Sequence, residues 1–229
     1  MQLIIKHNVN NLELPINYQH LIQSIIYKNI RNDYDYSSFM HDIGHGEEQK
    51  RRFKLFTFGK LRGRYEISNK KIIFRDNVSF EVRSPDITLI ETLYRNLEAN
   101  GIVYAGQHYG DLKLLRNDIT VEADKVIIRM NSPLTVYSTN RDDNSQRKKT
   151  LFYDPYDGMF GAMINGNFKR KYKACFGVGP VSDVKIEPVD ISVTDKTVTS
   201  YKGFFIDAWS GIYELSGERK YLDFLYQTG

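Results

Sequence analysis

The sequence predicts an α+β fold of two tandem ferredoxin-like (RRM-like) domains, and two observations support this prediction. In the first half of the chain, strand-like and helix-like segments follow one another as β-α-β-β-α-β, with an extra hairpin. A similar series of segments begins near Val121, although no sequence repeat is visible between the halves. We therefore expect an N-terminal domain at residues 1–118 and a C-terminal domain at residues 119–229.

The first series opens with a strand at residues 2–7 and a helix from Asn17 to Arg31. Helical spacing of apolar residues indicates the helix: Tyr18, Leu21, Ile22, Ile25, Ile26 and Ile30. Residues 32–53 are polar and are predicted to be irregular. Short strands with turn residues between them follow, at 54–59, 63–67, 70–75 and 78–83.

The second helix has clear boundaries in the sequence. Ser84 is predicted to cap it and Pro85 to occupy its first position. One face consists of apolar residues at helical spacing, and Asn100-Gly101 ends the helix. That face comprises Ile87, Ile90, Leu93 and Leu97. A strand pair or one long strand is expected to follow, through Leu115.

The second series begins with a strand at 126–130 and a polar loop at 138–150. Asp154-Pro155 is predicted to open a helix with one apolar stripe: Phe160, Met163, Ile164, Phe168, Tyr172 and Cys175. Strands are expected at 182–193, 196–201 and 203–215, and Ser216 is predicted to cap a last helix that carries Tyr221, Leu222 and Leu225. The second series thus has one strand fewer than the first. Gly229 stands where the C-cap of the last helix is expected, so we expect a shortened chain; the alternative is a second domain that is built differently.

Bulk composition narrows the class of protein. The chain has 229 residues, of which 41% are hydrophobic and 26% charged, so it can bury a core. Cys175 is the single cysteine, which excludes an intramolecular disulfide and fits a reducing compartment. No signal peptide and no apolar run of about 18 residues is visible. A soluble cytoplasmic protein is expected.

Basic residues occur in four clusters, three of them with aromatic neighbours, although the net charge is only +4. Each cluster alone is typical of a solvated surface, but four together favour a nucleic acid, because phosphates attract cations and aromatic rings stack on unpaired bases. The clusters are Lys50, Arg51, Arg52 and Lys54; Lys60, Arg62 and Arg64; Arg147, Lys148 and Lys149; and Lys169, Arg170, Lys171 and Lys173.

His41 and His45 are four residues apart, a spacing that can present two metal ligands on a helix. Gly44 and Gly46 would break that helix and no cysteine is near, so no metal site is expected. A histidine beside basic residues can instead transfer protons, because its ordinary pKa is about 6.5. Tyr27 lies at the margin of the first helix's apolar stripe, where it fits half-buried packing or a contact with a phosphate.

Three blocks in the first 60 residues resemble the CRISPR-associated repeat-processing endoribonucleases of the repeat-associated mysterious protein superfamily. The blocks are Leu14-Pro15 with Tyr18-Gln19-His20 and Leu21 to Ile30, then Phe39-Met40-His41, then Lys54-Leu55-Phe56-Thr57-Phe58. Over the rest of the chain the resemblance is one of fold. That family usually ends with a glycine-rich, RNA-binding loop and a closing strand, and this sequence stops at Gly229, where the loop would begin.

The resemblance implies a metal-independent enzyme without cofactors. Its substrate would be CRISPR repeat RNA (pre-crRNA). Attack of a ribose 2′-hydroxyl on the adjacent phosphate would give guide RNAs with 2′,3′-cyclic phosphate and 5′-hydroxyl ends. The active-site positions of the family correspond to Tyr27, His41 and Lys54, with His45 as the fallback for His41. The RNA-binding residues would be the basic residues of the first, second and fourth clusters: Lys50, Arg51, Arg52, Lys60, Arg62, Arg64, Lys169, Arg170, Lys171 and Lys173.

Three other interpretations stay open at this point. A non-catalytic RNA-binding subunit of a CRISPR effector complex would share the fold but need no Tyr27, His41 and Lys54 set. A metal-dependent phosphodiesterase would use His41, His45 and an acidic residue and would be sensitive to a chelator. A ferredoxin-like protein with a small ligand would not bind RNA. The sequence also leaves open whether the protein is a monomer or a homodimer and whether it joins other CRISPR effector subunits.

Overall fold

A computed structural model describes residues 1–30, 53–141, 148–201 and 204–229. Contacts between residues divide the chain into two units. The first unit contains Met1–Thr120 together with Tyr226–Gly229, and the second contains Val121–Leu225. Within the described residues, no helix is both long and apolar enough to cross a membrane.

The described part of the first unit contains nine strands and two helices. In chain order they are β1 (Gln2–Asn8), β2 (Leu12–Pro15), α1 (Gln19–Ile30), β3 (Thr57–Phe58), β4 (Tyr65–Ser68), β5 (Lys71–Phe74), β6 (Asn77–Arg83), α2 (Ile87–Asn100), β7 (Ile102–Tyr104), β8 (Gln107–Tyr109) and β9 (Leu112–Asn117).

The main sheet of the first unit has the antiparallel order β3-β6-β1-β9. Side chains alternate between its two faces, so Leu3 and Ile5 of β1 are fully buried. They belong to the same core cluster as Ile22 of α1 and Ile90 and Leu93 of α2. The elements β1, α1, β3, β6, α2 and β9 therefore form the predicted ferredoxin-like series.

Two smaller sheets add to this series. The strand β5 pairs with β2 on one side and β4 on the other, and β7 forms a hairpin with β8. The predicted strand at 54–59 is shorter in the structure, where it covers only Thr57–Phe58. The short strand β2 was not predicted from the sequence.

The first helix is confirmed, and the start of α2 is a correction. Asp86 is its N-cap, because its side chain accepts hydrogen bonds from the backbone N–H groups of Thr88 and Leu89. Ser84 was therefore wrong as the cap. Ile87 was also wrong as a core residue, since it is 59% exposed. The predicted end at Gly101 is confirmed, with φ of 67° and its N–H bonded to the Leu97 carbonyl.

The described part of the second unit contains seven strands, two helices and a short 3₁₀ turn at Val193–Asp195. The strands and helices are β10 (Lys125–Arg129), β11 (Tyr137–Arg141), β12 (Lys148–Phe152), α3 (Gly158–Phe176), β13 (Lys185–Asp190), β14 (Lys196–Tyr201), β15 (Phe204–Trp209), β16 (Ile212–Ser216) and α4 (Arg219–Thr228), whose last residues are grouped with the first unit.

The sheet β10-β16-β13 carries the second series, β-α-β-β-α. Aromatic rings fill its core. The buried ring of Phe160 on α3 stacks on the buried ring of Tyr213 on β16, with 6.1 Å between centroids. Within the described residues β10 has a neighbour on one side only, whereas β1 lies between two strands. The prediction of one strand fewer in the second series agrees with this sheet.

Four predictions in the second unit were wrong in detail. The residues 138–150, predicted as a loop, contain most of the hairpin β11–β12. The helix α3 begins at Gly158 with Asp157 as its cap, not at Asp154-Pro155. The segment 203–215 is two strands separated at Gly211, whose φ of 103° suits glycine. Ser216 is the last residue of β16 and does not cap α4.

Candidate active site and nucleic-acid interface

Tyr27 lies near the end of α1, at the edge of its buried face. Ile26 and Ile30 on the same helix are fully buried in the core, and Tyr27 is half-buried. Its ring and the ring of Phe56 form a T-shaped pair, with 5.8 Å between centroids and 82° between the planes. The Tyr27 hydroxyl oxygen is buried. The tyrosine ring is therefore held by packing on its helix and against the chain before β3.

Lys54 lies on that same stretch of chain, in a turn rather than in the predicted strand. The Phe56 N–H donates a hydrogen bond to the Lys54 carbonyl at 2.8 Å, which closes a tight turn around Leu55. The Leu55 side chain is 1% exposed and anchors the turn, while Lys54 itself is exposed. The Lys54 ammonium lies over the Tyr27 ring, 4.7 Å from its centroid.

This arrangement places an exposed positive charge at a defined position. The negative face of an aromatic ring attracts a cation, so the Tyr27 ring limits where the Lys54 ammonium can lie. A cation held in this way can stabilise negative charge that develops on a phosphate. The structure thus brings together two of the three residues predicted to be catalytic.

The third predicted catalytic residue, His41, lies outside the described residues. The same is true of His45 and of Lys50, Arg51 and Arg52 in the first basic cluster. Their predicted roles therefore stay predictions. In the described ranges no group of three or more His, Cys, Asp or Glu side chains could hold a metal ion.

The basic residues Lys60, Arg62 and Arg64, here called the strand cluster, are all exposed. They occupy every second position of the segment that follows β3, where Arg62 and Ser79 of β6 exchange backbone hydrogen bonds of 2.7 and 2.8 Å. Leu61 is 5% exposed, on the opposite side of the segment. Lys60 and Arg62 flank the buried Leu61, and the chain bends at Gly63 before it reaches Arg64. Among the described residues none of them forms an ion pair.

A glycine is required for this path of the chain. At Gly63, an added Cβ atom would lie 2.3 Å from the Asn77 carbonyl oxygen. Any other residue would push the segment away from β6. The exposed ring of Tyr65, 54% accessible, follows directly after the strand cluster. Three exposed cations that are close in the chain and an exposed ring are groups that can bind phosphates and a base.

The helix cluster comprises Lys169, Arg170, Lys171 and Lys173 of α3, and its cations differ in what they contact. The Lys169 ammonium forms an ion pair with Asp183 at 2.5 Å. The hydrogen bond from Lys169 lowers the pKa of the Asp183 carboxyl. Arg170 and Lys173 are exposed and Lys171 is half-buried. One of the four positive charges that were predicted to bind RNA, that of Lys169, is therefore already neutralised by Asp183.

The sequence indicated Phe56 as an aromatic neighbour of Lys54 but not its contact with Tyr27, and it gave no indication of the pair between Asp183 and Lys169. Phe56 stacks on Phe58 at 6.3 Å as well as forming the T-shaped pair with Tyr27. The alternation of Phe56 and Phe58 in the sequence was a signal that both rings lie on one side of the chain. No local signal links Asp183 to Lys169, because the two residues come from different elements.

Comparisons with known proteins agree with this fold. Residues 116–229 match the family model for CRISPR associated protein Cas6, C-terminal. No curated protein matches the sequence.

Solved structures of similar fold cover this chain completely. One, described as the characterization of a Cas6-related gene from Pyrococcus furiosus, is 18% identical with a TM-score of 0.76, and 92% of that chain is covered. A second, described as an RAMP protein binding different RNA substrates, is 18% identical with a TM-score of 0.77, and 93% of it is covered. A third, a Cas6 product complex, is 10% identical with a TM-score of 0.62, and 94% of it is covered.

At these identities the structures show the fold, which confirms the prediction of an α+β protein with tandem ferredoxin-like domains. The family model matches the C-terminal part of the chain alone, whereas the similarity of fold extends over the whole chain.

Proposed function

We propose that this protein is a metal-independent endoribonuclease that cleaves CRISPR repeat RNA into guide RNAs. The observation that carries the proposal is the contact between the Lys54 ammonium and the Tyr27 ring at 4.7 Å. These two residues come from separate elements, and they are two of the three positions that the resemblance assigns to the active site. The Cas6-family match over residues 116–229 supports the same class of substrate.

The proposed reaction is an in-line attack by a ribose 2′-hydroxyl on the adjacent phosphate. The 2′-oxygen forms a bond to phosphorus while the bond to the 5′-oxygen breaks, leaving a 2′,3′-cyclic phosphate and a 5′-hydroxyl. The nucleophile belongs to the substrate, so no metal-bound water is needed. His41 would move a proton at the 2′-hydroxyl or at the leaving 5′-oxygen. Lys54 would stabilise the charge that builds on the phosphate oxygens.

Tyr27 has a more specific proposed role than the sequence suggested. Its hydroxyl oxygen is buried, whereas its ring lies under the Lys54 ammonium. We therefore propose that the ring acts as a support for Lys54, and that direct contact with the phosphate by the hydroxyl is secondary. Substitution by phenylalanine keeps the ring and separates these two roles.

RNA binding away from the cleaved bond would rely on the strand cluster. Its three cations are exposed and form no ion pair within the described part of the chain. Phosphates of an unpaired RNA strand would lie along them, with a base on Tyr65. Lys50, Arg51 and Arg52 are also proposed to bind RNA, and the helix cluster is proposed to contribute less per residue. The repeat RNA is the proposed partner, and other CRISPR effector subunits are further proposed partners.

The proposal is tested with end-labelled repeat RNA from the source organism in excess EDTA. The wild type should produce one cut with a 2′,3′-cyclic end. His41→Ala and Lys54→Ala should each slow single-turnover cleavage by about 10²-fold or more. Tyr27→Phe should stay within about threefold of the wild type, and Tyr27→Leu should not, because only phenylalanine retains the aromatic face.

A substrate with a single 2′-deoxy sugar at the cut position is the matched control. It should bind as tightly as the all-ribose RNA and remain uncut. Cleavage that needs a divalent metal would overturn the proposed chemistry. Binding without cleavage by the wild type would instead indicate a non-catalytic RNA-binding subunit, and no binding would exclude RNA as the ligand.

A further inference from the structure

Ser84 lies between the end of β6 and the start of α2 and is fully buried, with 0% of its surface exposed. Its hydroxyl does not cap the helix, because Asp86 performs that role. The Ser84 hydroxyl instead donates a hydrogen bond to the Leu55 carbonyl at 2.7 Å. It also accepts a hydrogen bond from the Asp86 N–H at 3.0 Å. The side chain thus links the start of α2 to a distant part of the chain.

That distant part is the turn that carries Lys54. Leu55 is the central residue of the turn, between Lys54 and Phe56, and its own side chain is 1% exposed. Immediately after the turn, Thr57 pairs with Arg83, the neighbour of Ser84. The hydrogen bond from the Ser84 hydroxyl to the Leu55 carbonyl therefore adds a contact just before the pairing of β3 with β6 begins. Both ends of the turn contact the Tyr27 ring, Lys54 at 4.7 Å and Phe56 at 5.8 Å.

We propose that Ser84 is a positioning residue for the cleavage site: by holding the Leu55 carbonyl, it keeps the Lys54 ammonium over the Tyr27 ring. This inference rests on the proposed function for its catalytic consequence, but the geometry can be tested without it. A buried carbonyl needs a partner, and without the hydroxyl the turn must move to find one. Small displacements of a catalytic group reduce the rate even when the substrate still binds.

The backbone around Ser84 is held independently of its side chain. The Ser84 N–H donates to the Met1 carbonyl at 3.1 Å, so removing the hydroxyl leaves the chain beside β1 in place. Ser84→Ala therefore removes the contact with Leu55 selectively. Thr92 on α2 offers a matched control, because it is also buried (4% exposed) and its hydroxyl oxygen has no hydrogen-bond partner among the described residues. Thr92→Val removes a buried hydroxyl that holds nothing.

The first experiment measures single-turnover cleavage of repeat RNA at saturating protein. Ser84→Ala should reduce the rate by about 10- to 100-fold, with the RNA Kd unchanged within about twofold. Thr92→Val should keep the wild-type rate. In a Lys54→Ala background, Ser84→Ala should cause no further loss, because the residue on which it acts is gone. Equal losses in both backgrounds would show a general structural role and overturn the proposal.

The second experiment does not depend on activity. Lysines are converted to ¹³C-dimethyl-lysines, and the Lys54 signal is assigned by its absence in Lys54→Arg. In the wild type, the ring current of Tyr27 should move the chemical shift of the Lys54 methyl groups away from the range of exposed lysines. Ser84→Ala should return it toward that range, and Thr92→Val should not. A Lys54 signal that is identical in the wild type and in Ser84→Ala would overturn the proposal.

The two experiments separate the possible failures. If the wild type does not cleave RNA but the Lys54 signal moves in Ser84→Ala, the proposed function is wrong and the positioning role stands. If the wild type cleaves and Ser84→Ala changes neither rate nor signal, the positioning role is wrong. Should Ser84→Ala lose the wild-type thermal transition, Ser84→Cys provides a side chain of similar size with a weaker donor. It should give an intermediate rate and an intermediate signal, and wild-type values for both would overturn the proposal.

Discussion

The strand cluster and the helix cluster look alike as sequences, but the structure places their cations in different surroundings. Lys60, Arg62 and Arg64 are all exposed, and none of them forms an ion pair within the described part of the chain. In the helix cluster the Lys169 ammonium is paired with Asp183 at 2.5 Å. Counting basic residues therefore overstates the charge that α3 offers to a phosphate. The surroundings of each cation, more than the number of cations, determine a nucleic-acid surface.

A similar contrast separates two buried tyrosines, Tyr104 in the first unit and Tyr213 in the second. Tyr104 in the first unit is 0% exposed, and its hydroxyl meets the Nε2 atom of His7 at 3.2 Å. Tyr213 in the second unit is also 0% exposed, but its hydroxyl has no hydrogen-bond partner among the described residues. Burial, with a smaller effect of nearby carboxylates, raises the pKa of Tyr213 to about 12. The two tyrosines are equally buried, yet only the first belongs to a polar pair.

The largest expected effect follows from the two basic clusters. Replacing Lys60, Arg62 and Arg64 together by alanine should reduce the slope of log K against log salt concentration by about 2, since each phosphate contact of a single strand contributes about 0.7. Lys169→Ala should change it by much less, because Asp183 already balances that charge. Salt titrations of RNA binding measure both slopes.

Asp183→Asn sharpens this test. It keeps the size of the side chain but removes its charge, so Lys169 should become available and the salt slope should rise. A slope that is unchanged by the triple alanine variant would mean that the strand cluster does not meet phosphates. A Lys169→Ala effect as large as that of a strand-cluster residue would remove the distinction between the clusters.

The next largest effect concerns the two buried tyrosines. Tyr104→Phe should destabilise the protein by about 1–3 kcal/mol, because it leaves the Nε2 atom of the buried His7 without its partner. Tyr213→Phe should be within about 0.5 kcal/mol of the wild type or more stable, because it removes a buried hydroxyl without a partner among the described residues. Urea unfolding of the two variants compares these values. Equal losses would contradict the contrast.

The smallest effect is the pH dependence of stability. Burial lowers the pKa of His7, so the unfolded chain takes up this proton at a higher pH than the folded one does. The contribution of His7 to stability is therefore full above about pH 6.5 and is lost as the pH falls from there through the folded pKa. The pKa of Asp183 is also lowered, so the loss of its contribution to stability takes place below about pH 4.

The His7→Phe variant tests that prediction, because it keeps a ring against Tyr104 and Tyr109 but removes the titrating group. Thermal midpoints between pH 7 and pH 5 should fall less steeply in the variant than in the wild type. Identical slopes would show that another group of the protein causes the acid sensitivity in this range.

Local patterns were sufficient for the regular elements that bury an apolar face. Helical spacing placed α1 within two residues of its observed start at Gln19, and Gly101 marked the end of α2. The hairpin β11–β12 was missed because most of its described side chains, including Tyr137 and Leu151, are exposed, so no alternation of apolar residues is required. For the same reason the four-residue strand β2, next to Pro15, gave too short a signal.

The sequence by itself determined the α+β class, the helices that bury an apolar face and the positions of the basic residues along the chain, because these depend on spacings of a few residues. Tertiary structure alone decided which charges stay available and which groups meet. Serine and aspartate are both favoured at the N-cap of a helix. In the structure Asp86 is the cap of α2, and the Ser84 hydroxyl donates to the Leu55 carbonyl instead. The contacts of Lys54 with Tyr27 and of Lys169 with Asp183 join residues from separate elements, and such contacts form only when the chain packs.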